Sequence, residues 1–318
     1  MIKAESHASS VSAIDLIMSY KDDCERQGLS PGTIERYISS VRSMNRYLDE
    51  KNLDILCTEN EILVGYLDHL RREMQLRQRT IQHNFAALSS FYDFLEYKGL
   101  VDKNPVTSIR KRYLRKRHKN NDEGQERKLI SIKEMTELIN STIDIRDKAI
   151  LALLAKTGIR RNELITLDVD DVDFVEQKIL LKPTAKRTNR TVFFDDETAF
   201  ILHRWLRTRE SRNKKGSPAL FLNPDGTRMM RHAVYDAVVS AAQRVGLHDP
   251  SSDRMKDHFS PHCCRHWFTT HLRRAGMPRE FIQELRGDVR REAIDIYDHI
   301  DKKELKESYM AHIPQLGI

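Results

Sequence analysis

Cysteine is scarce in this chain: 318 residues contain four, Cys24, Cys57 and the adjacent pair Cys263 and Cys264. They are too few and too badly spaced for a disulfide framework, so a reducing compartment is expected. No apolar run reaches roughly 18 residues, the length that a membrane-spanning helix needs, and Met1–Ser10 lacks the apolar stretch of a secretory signal. A cytoplasmic protein with no membrane partner is the expectation. Internal repeats and low-complexity tracts are missing as well. What is present is chain enough for two ordinary domains, each able to bury a core. A formal charge of +7 and a pI near 9.1 favour a polyanionic partner, although acidic residues are nearly as numerous as basic ones.

Periodicity divides the chain. The first hundred residues predict a helical bundle, beginning with an amphipathic segment from about Val11 to Gln27 that Gly28 stops. Ser30 and Pro31 offer a cap and a first-turn proline to a second helix, in which Ile34, Ile38, Val41, Met44 and Leu48 recur at helical spacing. Ile62–Leu70 reads as a third helix, and Ile81, Phe85, Leu88, Phe91 and Leu95 mark a fourth. The aromatic residues here are expected in the core. From Arg110 the pattern lapses into a basic tract and then a polar one, giving a linker over 111–127 between an N-terminal domain (1–110) and a C-terminal domain (128–318). The basic tract fits either a solvated tether or a strap along a nucleic-acid backbone. Beyond it, Ser131 and Glu134 form a capping box, and Asp144–Lys156 a strongly apolar helix. The period then shortens: runs at Val172–Phe174, Ile179–Leu181 and Thr191–Phe194 predict a small three-stranded antiparallel sheet before helices resume. The fold class expected is mainly α, within α+β.

Several short segments of the second half carry chemistry suited to a phosphodiester. Thr157-Gly158-Ile159-Arg160 sets a glycine turn before a helix, so Arg160 and nearby backbone N–H groups can face one anion. A guanidinium binds two phosphate oxygens at once and stays charged at any working pH. Glu163, one turn on, could orient an arginine or cap the helix. His262 and Arg265 lie three apart at the start of another helix and so share a face. A metal reading of His262, Cys263, Cys264 and His266 is weaker, because adjacent cysteines point apart and no second pair has a usual zinc spacing. Tyr297 follows Gly287-Asp288 and is the candidate nucleophile, with Tyr309 as a competitor. A phenol titrates near ~10, so neighbouring arginines can help it act as phenolate, and its phosphate ester conserves the energy of the broken bond. Lys186, in the cationic turn between the second and third strands, can protonate a leaving oxygen, and Lys182 is the alternative.

Arginine after a Thr-Gly turn, lysine in a β-hairpin, His-x-x-Arg and then a tyrosine near the C-terminus, in that order, resemble the tyrosine recombinase or phage integrase family. The resemblance spans nearly the whole chain. It implies an N-terminal helical core-binding domain and a C-terminal catalytic domain that together clamp double-stranded DNA. It also implies a catalytic set of Arg160, Lys186, His262, Arg265 and Tyr297, with Tyr297 forming a 3′-phosphotyrosine. No metal, nucleotide or flavin cofactor is required. Site-specific recombination by a homo-tetramer in a DNA synapse follows, in the nucleoid and with possible DNA-bending or directionality proteins. A type IB topoisomerase-like or telomere-resolving enzyme, or a non-catalytic DNA-binding regulator, is the alternative. One departure stands out: where the family usually has Gly-His or Gly-Trp, this chain has Gly287-Asp288. Ionised, Asp288 cannot donate a hydrogen bond to phosphate. It could instead orient Arg265 or another cation, or act as a protonated donor. The tail after Asp301 could dock on a neighbouring protomer or pack on its own domain.

Overall fold

The computed structural model describes residues 12–115, 128–183, 190–288 and 300–318. Backbone contacts divide the chain into residues 1–121 and 122–318, and each unit closes on its own apolar core.

The first unit is all helix among its described residues. α1 (Ala13–Arg26) is capped by Ser12, whose hydroxyl accepts from the Asp15 amide, and α2 (Pro31–Asp49) starts at the predicted proline. α3 (Asn60–Asp68) runs into a π-helical turn at His69–Glu73, and α4 (Gln78–Tyr97) supplies Phe85, Phe91 and Tyr92 to the core, all fully buried. The aromatic stripe is thus packing. After α5 (Val106–Ile109) a second π-helical turn, Arg110–Leu114, extends beyond the point where the sequence pattern lapses. Leu114 is buried in this core, and its carbonyl accepts from Gln82 Nε2 at 2.9 Å.

The second unit opens with α6 (Ile132–Asn140), where Ser131 and Glu134 form the reciprocal capping box. α7 (Ile145–Thr157) is capped by Asp144, which accepts from the amides of Arg146 and Asp147. Every residue from Ala149 to Thr157 is buried, the mark of a helix packed on all sides. Around it lie α8 (Arg161–Thr166), α9 (Asp196–Arg212), α10 (Arg231–Arg244) and α11 (Pro261–Arg274). The sheet has the order β1 (Val172–Asp173), β2 (Lys178–Leu181), β3 (Arg190–Phe193), antiparallel throughout. Ile179 and Leu181 of β2 face the core while Leu180 points out, the alternation that a one-sided sheet requires. Leu181 pairs with Arg190 at the end of the β2–β3 ladder opposite Lys178 and Phe193. α12 (Arg279–Arg286) and α13 (Lys302–His312) complete the described elements.

Candidate active site

The site is built at two helix ends, each stopped by a left-handed glycine. α7 ends at Gly158, whose φ of 60° needs no Cβ and whose neighbourhood admits none: a Cβ there would lie 2.3 Å from Phe268 Cδ1 of α11. This close approach carries α11 against the turn, and Arg265 Nη1 donates to the Gly158 carbonyl at 2.6 Å. Arg160 follows as the N-cap of α8. Its own amide is not free for an anion, as the glycine-turn pattern suggested, because it donates to Glu163 Oε2 at 2.6 Å.

The second end is that of α12. The last carbonyls of a helix have no partner within it and carry the negative end of its dipole. Here arginines satisfy them: Arg190 Nε donates to Leu285 O at 3.1 Å, and Arg160 Nη1 and Arg265 Nη2 both donate to Arg286 O, at 3.0 and 2.8 Å. Two guanidinium groups separated by 105 positions, Arg160 and Arg265, therefore converge on one oxygen. Asp288, just past Gly287, places Oδ1 at 3.5 Å from Arg160 Nη2 and 3.4 Å from Arg265 Nη2, and Oδ2 at 3.1 Å from Arg286 Nε. Of the roles open to Asp288, orienting cations is the one this geometry fits. Glu163 serves both of its candidate roles. It accepts from the Arg160 amide and forms a bidentate pair with buried Arg190 at 2.7 and 3.0 Å. Burial and the neighbouring Arg286 charge push the Arg265 guanidinium down to about 10, which leaves it protonated at neutral pH. A cavity of about 360 Å³ opens in front of this group, lined by Arg160, Arg265 and His262 and also by Arg161, Arg231 and Tyr235.

A profile described as "Phage integrase family" matches residues 122–304, and one described as "Phage integrase, N-terminal SAM-like domain" matches residues 16–100. The chain belongs to the phage integrase family. Among relatives of this integrase-family chain is tyrosine recombinase XerC of Vibrio cholerae serotype O1, 27% identical over 288 residues and covering 89% of this chain and 87% of the relative. Tyrosine recombinase XerC of Bacillus subtilis is 29% identical over 256 residues, covering 76% and 77%. The fold is similar to that of a chain in the structure of a lambda integrase dimer bound to a COC' core site, with a TM-score of 0.67 at 12% identity over 91% of this chain and 98% of that one. It is also similar to that of a chain in the structure of a lambda integrase tetramer bound to a Holliday junction, with a TM-score of 0.68 at 14% identity over 93% and 81%. The family and enzyme class implied by the motif order stand, as does the mainly α, α+β fold class expected from the periodicity.

Of the family's expected site residues, Arg160, His262 and Arg265 meet at one cavity, with Asp288 behind the guanidinium pair. Lys186 and Tyr297 lie outside the described residues. Their two competitors are described. Lys182 forms ion pairs with Asp168 and, at 3.4 Å, with Asp171, and the Asp168 carboxylate raises its pKa. An ammonium so held is a poorer proton donor. Tyr309 is fully buried and donates its hydroxyl to Lys156 O at 2.9 Å, and burial raises its phenol well above the usual value. It cannot reach a phosphate from the core. The metal alternative also loses its geometry: Cys263 and Cys264 are buried while His262 and His266 sit on the exposed side of α11. Among the described residues, no group of three or more His, Cys, Asp or Glu is arranged to hold a metal ion. The residue missed by sequence reasoning is Arg190. It looked like one more cation of the hairpin, and only the β2–β3 register turns it inward.

Proposed function

We infer that this tyrosine site-specific recombinase seats a DNA phosphodiester between Arg160 and Arg265. The observation that carries this reading is the convergence of the two guanidinium groups on Arg286 O and Asp288 Oδ1 beside His262. Both forks are fixed from behind, so their remaining N–H groups meet charge that develops on the non-bridging oxygens without having to reorganise. Tyr297 Oη attacks phosphorus and forms the phosphotyrosyl bond as the bond to the 5′ oxygen breaks. Lys186 gives that oxygen its proton, and His262 moves the proton of the attacking phenol. Reversal by a new 5′ hydroxyl rejoins the strand and frees the tyrosine. Double-stranded DNA is the partner, held by both domains, with four protomers around two duplexes.

The test is incubation of the full chain with nicked duplex bearing its recombination site, followed by a denaturing gel. Wild type gives a covalent protein–DNA band, Tyr297→Phe gives none yet still binds the duplex, and Arg160→Ala or Arg265→Ala lowers the cleavage rate by about 10²–10³-fold. An adduct that persists in Tyr297→Phe would remove the nucleophile assignment.

A further inference from the structure

The cavity in front of Arg160 and Arg265 holds more positive charge than one phosphate uses. Arg161, the first residue of α8, and Arg231, the first of α10, line the same wall, together with Tyr235 one turn into α10. The Arg161 guanidinium lies 5.9 Å from the centre of the Tyr235 ring, within the range at which a ring face holds a cation. Arg161 and Arg231 are close enough to repel: burial first, and then the Arg231 charge, lower the pKa of Arg161. Among the described residues, neither guanidinium has a carboxylate within ion-pair distance, and no carboxylate lines the cavity. This differs from Arg160 and Arg265, which have Asp288 and helix-end carbonyls behind them. Like charges gathered on a concave wall without a counter-charge are stable when a ligand supplies one. Arg231 and Pro261, the first residues of α10 and α11, both line this cavity, and neither helix has a side-chain cap. The volume, about 360 Å³, is roughly a dozen times the ~30 Å³ share of one water molecule, so it exceeds the needs of a lone phosphate.

We propose that Arg161, Arg231 and Tyr235 form a second phosphate seat, which takes the backbone phosphate next to the scissile one on the same strand. The proposal rests on the reading that Arg160 and Arg265 hold the scissile phosphate, and extends it. The second seat fixes the strand's direction through the cavity. One bound phosphate can rotate, whereas two joined by a nucleoside define which ester oxygen faces the nucleophile. Arg161 touches the second phosphate directly and is itself held by the Tyr235 ring.

The probe is thymidine 3′,5′-bisphosphate, whose two phosphates flank one nucleoside as in a DNA strand, compared with thymidine 3′-monophosphate. Both are titrated into the full chain by calorimetry or ³¹P NMR. Wild type should prefer the bisphosphate by on the order of tenfold. The double variant R161A/R231A should lose that preference while its affinity for the monophosphate stays within about twofold of wild type, since the first seat is intact. R161K/R231K, which keeps both charges, should recover part of the preference and shows that the cavity remains folded. A preference unchanged in R161A/R231A, or none in wild type, overturns the second seat. Failure of the first seat reads differently: monophosphate affinity would then be indifferent to Arg160→Ala, whatever the bisphosphate does.

Discussion

Asp288 places a carboxylate against both central guanidinium groups and so offsets the positive charge they would present to a phosphate. A full charge about 4 Å away in a medium of effective dielectric ~20 contributes roughly 4 kcal/mol before solvent screening, and Asp288 is about one-third exposed, so its effect is a fraction of that. It holds Arg160, Arg265 and Arg286 in place and at the same time competes with any incoming anion. Asp288→Asn should therefore bind inorganic phosphate or orthovanadate roughly tenfold more tightly, by calorimetric titration at neutral pH. Equal or weaker binding would mean that Asp288 acts through geometry alone. His262 and Arg265 were legible in the sequence as a pair because three positions on one helix share a face whatever the tertiary fold. Arg160 with Arg265, and Arg190 with Glu163, were not legible as contacts. Their partners are 105 and 27 positions apart, and nothing local encodes which carbonyl or carboxylate each meets.

At the scale of elements, the arginines of the site are organised by the end of α12 and by the two glycines that stop α7 and α12. A Cβ on Gly287 would lie 2.8 Å from Arg190 Cδ, at a φ of 59°. Gly287→Ala must then push Arg190 off Leu285 O and strain its bidentate pair with Glu163. The left-handed backbone costs an alanine about 1–2 kcal/mol, and overpacking adds about 1–3 kcal/mol, so a loss of about 2–5 kcal/mol is expected by urea unfolding. Gly158→Ala, 2.3 Å from a ring carbon of buried Phe268, should lose at least as much. A loss under about 1 kcal/mol in both would show that the two turns relax freely. Most of these elements could be read beforehand, because caps and periods are local: Ser131 with Glu134, Pro31 after Ser30, and the alternation of Ile179, Leu180 and Leu181. The π-helical turn that carries Leu114 into the first core was hidden by its basic composition, Arg110-Lys111-Arg112. Its one apolar anchor finds a core made by residues far upstream. The end of α12 as an acceptor for three arginines was equally hidden, since backbone carbonyls leave no trace in side-chain pattern.

The whole second unit is tied together by its own C-terminus. Of the two fates open to the tail, the structure shows packing on the same domain: Leu305, Tyr309, Ile313 and Leu316 enter the core that surrounds α7. A buried charge holds the end in place. Lys156, fully buried on α7, puts Nζ 2.5 Å from Asp195 Oδ2 and from Glu197 Oε2, and 2.7 Å from Pro314 O. Glu197 in turn accepts from the amides of Leu316, at 2.9 Å, and Gly317. Burial alone would raise the pKa of Glu197, but the Lys156 ammonium and these two amides outweigh it and hold the carboxyl below its ordinary 4.5. A carboxyl with a depressed folded-state pKa binds protons more readily in the unfolded chain. Its stabilisation is therefore fully present above pH 4.5 and disappears as the pH falls through the folded value. Glu197→Gln should lower stability by about 2–3 kcal/mol at pH 7, because it leaves part of a buried ammonium uncompensated. The gap in Tm between wild type and variant should narrow steadily below pH 4.5. Limited proteolysis should nick the last residues of Glu197→Gln at neutral pH and those of wild type only in acid. A Tm gap that stays constant from pH 7 to pH 3 would mean that Asp195 alone compensates Lys156 and that the tail is held by its apolar side chains.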